Sequence, residues 1–550
     1  MERKKGLFLT IVIVLAVLII APILMVLYYT FFDGQKVDVG RFIELVMTKK
    51  MLTVFWQSIW LGFLVIIGTT IFALPLAFIM TKTSFRRYRS LDIIFTIPFM
   101  TPPYIGAMGW ILFMQENGFL QQLLKKDHHI TEWFFSLPGM VLIMSLHLYP
   151  FLYLMLKNAL LRLQGSFQDA TTIFGKGRLS NFWKVMLPLL LSSYALGSLL
   201  IFIKTLAEFG TPATFGKRIG YEVFTTEIHA QLSSWPIDIR MATSMSLVLL
   251  STCLLVWYVQ NTISRKFSYS TLSGKMPPLR EKKQSFFVRV LSIGYVLCLI
   301  GISIGIPYFS ILAVSLMKVR GNGLSLDNIS FVYYQQLFQI DSKGYEAFMN
   351  SLLFSLTASV ITIILGTMIA LFVQKGQTKT AATVDFMSLL PNTIPGIVIV
   401  VGLIMLWNHP ALPVTIYNTK WMPVVTYVVL FLPYAVQYIK ASYNQIDASI
   451  FQSARIFSPN KRSVIFNITL PLLLPGMFAA WMMTFIISMR ELVGSLLVLP
   501  PSVQTVATFI YAQFEQGNVS LGMAMAVVTV LITIIVMLIV NQLQKGREHV

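Results

Sequence analysis

Glu208 and Glu491 are the acidic residues whose placement could do chemistry. Each closes a long apolar stretch. Lys204 precedes Glu208 by one helical turn, which puts the two on one face, and Arg490 adjoins Glu491. Ionisable groups at membrane depth are costly and face a cavity or a partner. Two readings are open. One is a pair of carboxylates that attracts or gates a cation at the mouth of a pathway. The other is a set of ion pairs or solvated helix ends that only fix the fold. Other constellations fail. Gly210-Thr211-Pro212-Ala213-Thr214-Phe215-Gly216-Lys217 looks like a phosphate loop, but it has one residue too many between its glycines. Arg218 also stands where the Mg²⁺-binding Ser or Thr belongs. His128, His129, His147, His229, His409 and His549 share no ligand spacing, and no H-E-x-x-H or C-x-x-C occurs. His147, on an apolar stretch, reads as a packing residue. Cys253 and Cys298 cannot build a disulfide framework. No catalytic residue, metal site or cofactor is expected, and the chain is not read as an enzyme.

The elements that position these residues are membrane spans. Of 550 residues, 56% are hydrophobic and 12% charged, with a mean hydropathy of +0.74. A soluble chain carries about 25% charged residues. That balance excludes a soluble enzyme, a disordered chain, a collagen and a secreted disulfide scaffold. Runs free of Asp, Glu, Lys and Arg and long enough to span lie at 6–32, 51–81, 93–115, 133–156, 185–203, 241–264, 290–317, 347–374, 386–419, 421–439, 463–489 and 516–544. These twelve predict an all-α polytopic membrane protein. The first run is too long for a signal-peptide core. A further run, 492–514, holds Pro500-Pro501, which breaks a helix; it reads as a loop or a re-entrant segment buried in protein. Alternating loops sort the basic residues: the set that includes both termini holds 27 and the opposite set 13. Both termini are therefore expected in the cytoplasm, and this bias accounts for much of the +20 net charge without nucleic acid.

The chain repeats itself. Ser58, Asp92, Pro98 and Pro102 recur 293 residues later as Ser351, Asp385, Pro391 and Pro395. After a shortened outer loop the offset becomes 283, and Pro150, Pro188 and Glu208 recur as Pro433, Pro471 and Glu491. Two six-helix halves with an even number of spans have the same topology, a parallel repeat. The expected domains are residues 1–265, a basic cytoplasmic linker at 266–286, and residues 287–550. The prolines at 98, 102, 391 and 395 bend the third helix of each half, which suits either a pathway lining or local packing.

Between the fourth and fifth spans, Asp169-Ala170-Thr171-Thr172-Ile173-Phe174-Gly175 is followed after nine residues by Val185-Met186-Leu187-Pro188. The second half has Gln452-Ser453-Ala454-Arg455-Ile456-Phe457-Ser458, then at the same spacing Ile468-Thr469-Leu470-Pro471. Physically, each stretch suits a short, small-faced helix open to close approach by another protein. Gly175 or Ser458 ends that helix, and Leu-Pro opens the next span, where proline fits the first turn.

These segments resemble the EAA loop of ABC importer permeases. Asp169 stands in the first copy, and Gln452 in the second, for the usual Glu; Ser458 replaces the usual Gly. With Ile97 to Trp110, Tyr149 to Leu154, Leu206 to Gly210 and Arg490 to Leu492, nearly the whole chain is similar to the fused, double-length ferric-iron permeases of the binding-protein-dependent importer family. The resemblance implies the type I ABC importer permease fold in the bacterial inner membrane. It implies two cytoplasmic ATP-binding subunits under Asp169, Ala170, Gly175, Pro188, Gln452, Ala454, Ser458 and Pro471, and an extracytoplasmic substrate-binding protein. Glu208, Glu491, Pro102 and Pro395 are the candidate pathway residues. Ferric iron is the expected cargo, with phosphonate or thiamine as alternatives. A twelve-helix secondary transporter is the rival class, but charges avoid the middles of the spans.

Overall fold

The computed structural model describes residues 2–34, 36–88, 90–124, 128–162, 187–266, 285–375, 379–457 and 463–545. Among them, ten helices are long and apolar enough to cross a membrane, and twelve if each of two broken helix pairs counts as one span. The broken pairs are the third spans of the halves. Ser90–Met100 meets Pro103–Leu124 at 88°, and Lys379–Asn392 meets Gly396–Trp407 at 105°. The expected bend is thus a break. The cause is the same in both. Pro102 and Pro395 are the N-caps of the second arms, with φ/ψ of −55/132° and −55/133°. A proline there has no N–H to continue the first arm's ladder, and its ring pushes the preceding residue out of helical geometry. The apolar run 386–419 also proves to be two things: the helix ends at Trp407, and Asn408–Lys420 is loop. The run overran because this loop lacks charge until Lys420.

Each half builds the same three-helix core. Lys49–Lys82 packs along Leu137–Arg162, and Leu187–Ala207 lies against both; in the second half Lys343–Lys375, Trp421–Asn444 and Leu470–Met489 repeat the arrangement. Aromatic and branched side chains fill the second core: Phe354, Val424, Tyr427, Val428 and Phe431 are buried together. Burying such side chains in close-packed contact supplies the attraction that lipid, as apolar as leucine, does not.

The chain divides into two compact units, and they are not the sequence halves. One comprises Met1–Thr48, Ile228–Leu250 and Ser330–Val550; the other comprises Lys49–Glu227 and Ser251–Ile329. Each half's first span therefore packs in the unit that holds most of the other half's remaining helices. Ala21–Phe31 lies on Gly396–Trp407, and Ile306–Leu316 lies on Pro103–Met114. Both first spans carry a π-helical turn, Ala16–Ile20 and Gly301–Gly305, just before Pro22 and Pro307. The proline removes one ladder hydrogen bond, and the widened turn takes up its ring. Glycine permits the contact on the other side. A Cβ on Gly109 would lie 2.5 Å from the Pro307 carbonyl oxygen, and one on Gly402 would lie 2.3 Å from that of Pro22.

Candidate functional site

The segment that carries Asp169, Ala170 and Gly175 lies outside the described residues, as does Ser458. Pro188 is the second residue of Leu187–Ala207. The second copy is a helix, Ala448–Phe457, with Gln452 exposed on it and Ala454 within it. Its start is set by Asp447, whose Oδ1 accepts the Ser449 N–H at 2.8 Å. That bond holds the Asp447 carboxyl below the usual carboxylate range. A stack of Phe451 on Tyr443, with ring centres 4.8 Å apart, fastens this helix to the end of Trp421–Asn444. Pro471 does not open its span as expected. A π-helical turn, Val464–Thr469, precedes it within the span Val464–Met489, so the ring is housed by a widened turn rather than by a free helix start.

Glu208 and Glu491 sit just past the ends of Leu187–Ala207 and Leu470–Met489, and both turn back on the backbone. Glu208 Oε1 accepts the N–H groups of Gly210 at 2.9 Å and Thr211 at 3.3 Å; its carbonyl accepts the Thr225 hydroxyl at 2.6 Å. Glu491 Oε1 accepts the Gly494 N–H at 2.9 Å, and its carbonyl accepts the Ser495 hydroxyl at 2.5 Å. Each carboxylate thus caps the segment after it, where free amides favour negative charge.

Those segments are helix–turn–helix insertions in both halves. Val493–Val498, a turn through Pro500-Pro501 and Val506–Gln516 form the second. Pro212–Gly216, Lys217–Ile219 and Phe224–Ser233 form the first. A serine from the second span of the same half holds each insertion. Ser58 Oγ accepts the Phe224 N–H at 3.0 Å, and Ser351 Oγ accepts the Val506 N–H at 2.7 Å. The recurrence of Ser58 as Ser351 is therefore a recurrence of a helix cap supplied from a neighbouring helix. A cleft of about 430 Å³ opens at the second insertion, lined by Lys343, Glu346, Pro500, Gln504 and Tyr511 among others.

Sequence reasoning found Asp92 and Asp385 but not their partners. Lys157 Nζ donates to Asp92 Oδ2, and the Tyr153 hydroxyl donates to Oδ1. Lys440 Nζ donates to both oxygens of Asp385, at 2.6 and 2.7 Å. Lys157 and Lys440 are related by the 283-residue offset, so the repeat alone carried the signal. His147, expected as a packing residue, lies with its ring 6.1 Å from that of Phe99. Among the described residues no group of three or more His, Cys, Asp or Glu could hold a metal ion.

Known proteins match this chain in sequence. Residues 73–269 and 362–549 each match the family described as binding-protein-dependent transport system inner membrane component. The chain is 23% identical over 544 residues to the ferric transport system permease protein FbpB of Actinobacillus pleuropneumoniae, covering 97% of this chain and 77% of that one. It is 24% identical over 532 residues to the Fe(3+)-transport system permease protein FbpB 2 of Haemophilus influenzae, covering 96% and 97%. A putative 2-aminoethylphosphonate transport system permease protein, PhnV of Salmonella typhimurium, is 22% identical over 236 residues, 43% of this chain and 88% of its own. Two matched repeats, two broken third spans and two capped insertions lead to one assignment: the chain belongs to the family of binding-protein-dependent transport system inner membrane components, as a double-length, multi-pass permease.

Proposed function

We propose that the chain forms the substrate pathway of an ATP-driven importer of ferric iron and is itself catalytically inert. Two cytoplasmic ATPase subunits dock under residues 169–175 and 452–458, and an extracytoplasmic binding protein delivers the cargo to the opposite face. Both termini are cytoplasmic. One observation carries the coupling role. Ala448–Phe457 is a short capped helix with Gln452 exposed, set between two spans at the place where both repeats carry the same spacing. A helix fastened at its root by the Tyr443–Phe451 stack transmits a push to the span before it.

Iron as cargo is supported by relatives named for ferric transport that match nearly the whole double-length chain. It is also supported by chemistry. Glu208 and Glu491 supply hard carboxylate oxygens at equivalent places, and Fe³⁺ favours such donors. Each carboxylate commits one oxygen to backbone amides. Replacing both glutamates by Gln keeps a carbonyl oxygen for those amides and removes two charges. In vesicles that hold this chain, its ATPase and its binding protein, the double variant should keep its melting temperature and lose most Fe³⁺ uptake. Unchanged uptake removes the cargo role from the glutamates. Uptake of 2-aminoethylphosphonate in place of Fe³⁺ by the wild type reassigns the cargo. The purified chain alone should not hydrolyse ATP; hydrolysis abolished by Lys217→Ala would overturn the inert role.

A further inference from the structure

We propose that Asp385–Lys440 and Asp92–Lys157 are positioning links of the transport cycle, tying the helix that feeds each coupling segment to the first arm of the broken third span. The inference rests on the coupling role given above for residues 452–458.

The second half shows the whole path within one compact unit. The coupling helix Ala448–Phe457 meets Tyr443 through Phe451. One turn before Tyr443, on the same helix, Lys440 grips both oxygens of Asp385. Asp385 lies on Lys379–Leu389, the arm that ends at the Pro391 and Pro395 break. The first half repeats the grip. Lys157, near the end of Leu137–Arg162, holds Asp92 in the first turn of Ser90–Met100.

The break makes these contacts matter. Across 105° no helical ladder joins the first arm to the second, so the first arm's direction is set by its lateral contacts. Along the flank of the first arm, apolar contacts are non-directional and permit sliding. A lysine that donates to a carboxylate does not, because charge-assisted bonds are short and directional. The side chains are a fifth to a quarter exposed in the second pair, and slightly less in the first, so water screens them only in part. When the coupling helix moves, Lys440 must carry Asp385 with it or lose the bond. The arm then pivots at its proline break.

The two links differ in redundancy. In the first half each Asp92 oxygen has its own donor, Lys157 or Tyr153. The position equivalent to Tyr153 is Val436, so among the described residues Lys440 serves both oxygens of Asp385. Losing Lys440 therefore affects transport more than losing Lys157.

The test uses the full complex in vesicles, with chain, ATPase and binding protein, and measures Fe³⁺ uptake and ATP hydrolysis together. The wild type comes first: a chain that neither binds nor stimulates the ATPase would sink the coupling reading, and this inference with it. Given a coupled wild type, Asp385→Asn should still assemble and hydrolyse ATP, but the cargo moved per ATP should fall about tenfold, a coupling change of ordinary size. Asp385→Lys with Lys440→Asp should restore most of it. A purely structural pair predicts otherwise: uptake and hydrolysis fall together and their ratio stays at the wild-type value, which overturns the proposal. Should Asp385→Asn not assemble, Asp385→Leu with Lys440→Met fills the same space without a buried charge. A low ratio there supports the link, and a wild-type ratio overturns it.

Discussion

Gly106 and Gly109 stand one turn apart on the same helix, Pro103–Met114, and alanine should have opposite effects at the two. A Cβ on Gly106 meets nothing within 4 Å. There the substitution only removes glycine's backbone freedom, which stabilises a helix by about 0.5–1 kcal/mol. At Gly109 the same Cβ would stand 2.5 Å from the Pro307 oxygen, 2.8 Å from its Cα and 3.0 Å from its carbonyl carbon. Ordinary contact begins at 3.4 Å, so the two backbones must part by about 0.9 Å. Neither can yield as a flexible side chain would, since the obstacle is the proline's own backbone just after a π-helical turn. Overpacking of this kind costs about 1–3 kcal/mol and outweighs the gain in propensity. The propensity gain is common to both sites, so the two single variants should differ by about 1–3 kcal/mol, with wild type between them. Heating the detergent-purified chain and following the fraction that stays monodisperse reads this as melting temperatures in the order Gly106→Ala, wild type, Gly109→Ala. Gly402→Ala should fall with Gly109→Ala, because its Cβ would lie 2.3 Å from the Pro22 oxygen. If Gly109→Ala melts with or above Gly106→Ala, the close approach of first and third spans does not constrain the fold.

The same contacts set three further outcomes. Ser351→Ala leaves the buried Val506 N–H without its acceptor and should cost about 1–3 kcal/mol in the melting assay, with Ser58→Ala behaving alike at Phe224; a neutral effect at both would remove the caps' role. Burial pushes the His229 imidazole down to about 4 from 6.5. Since the folded value lies below the unfolded one, stability is complete above about 6.5 and falls as pH drops toward 4. Going from pH 7 to 5 should cost about 1–2 kcal/mol that His229→Gln does not lose, and equal acid sensitivity of the two proteins refutes this. Arg in place of Ala454 adds bulk and charge to the coupling helix and should leave the fold intact while reducing co-purification of the ATPase; normal yield with normal transport-linked hydrolysis would exclude that segment as the docking site.

Span existence was legible because a membrane demands long apolar runs, and their breaks were legible where proline marks them. Pro500-Pro501 flagged the second insertion. Its first-half counterpart went unseen, since Lys217, Arg218, Glu222 and Glu227 interrupt the run there, although the offset that pairs Glu208 with Glu491 already implied it. The end of the helix at Trp407 was invisible to a search keyed to charge. The exchange of first spans was invisible for a deeper reason. Periodicity tells which face of a helix is buried, not which neighbour buries it, and Pro22 against Gly402 lies 380 residues apart in sequence. The carboxylates were found by type and position, but their backbone partners were not. A glutamate at a helix end reads equally as a ligand, an ion-pair member or a cap until the next amides along the chain have coordinates.

Internal repetition sorts these features by cause. Where geometry is imposed by the backbone, both halves keep the same residue: proline at each break, glycine at each close approach, serine at each borrowed cap, glutamate at each turn into an insertion. The φ/ψ values of Pro102 and Pro395 agree within a degree, though most side chains around them differ. Where a function can be met by more than one side chain, the halves diverge. Among the described residues, Asp92 has a tyrosine and a lysine where Asp385 has a lysine for both oxygens. Gly175 is replaced by Ser458, and Asp169 by Gln452, in the two segments proposed to dock the ATPase. A two-fold partner pressing on both segments would meet unequal surfaces, and the half with the single-donor link is also the half whose coupling helix lacks an acidic residue at that position. The two departures fall on one mechanical path, so the second half is where a loss of coupling should appear first.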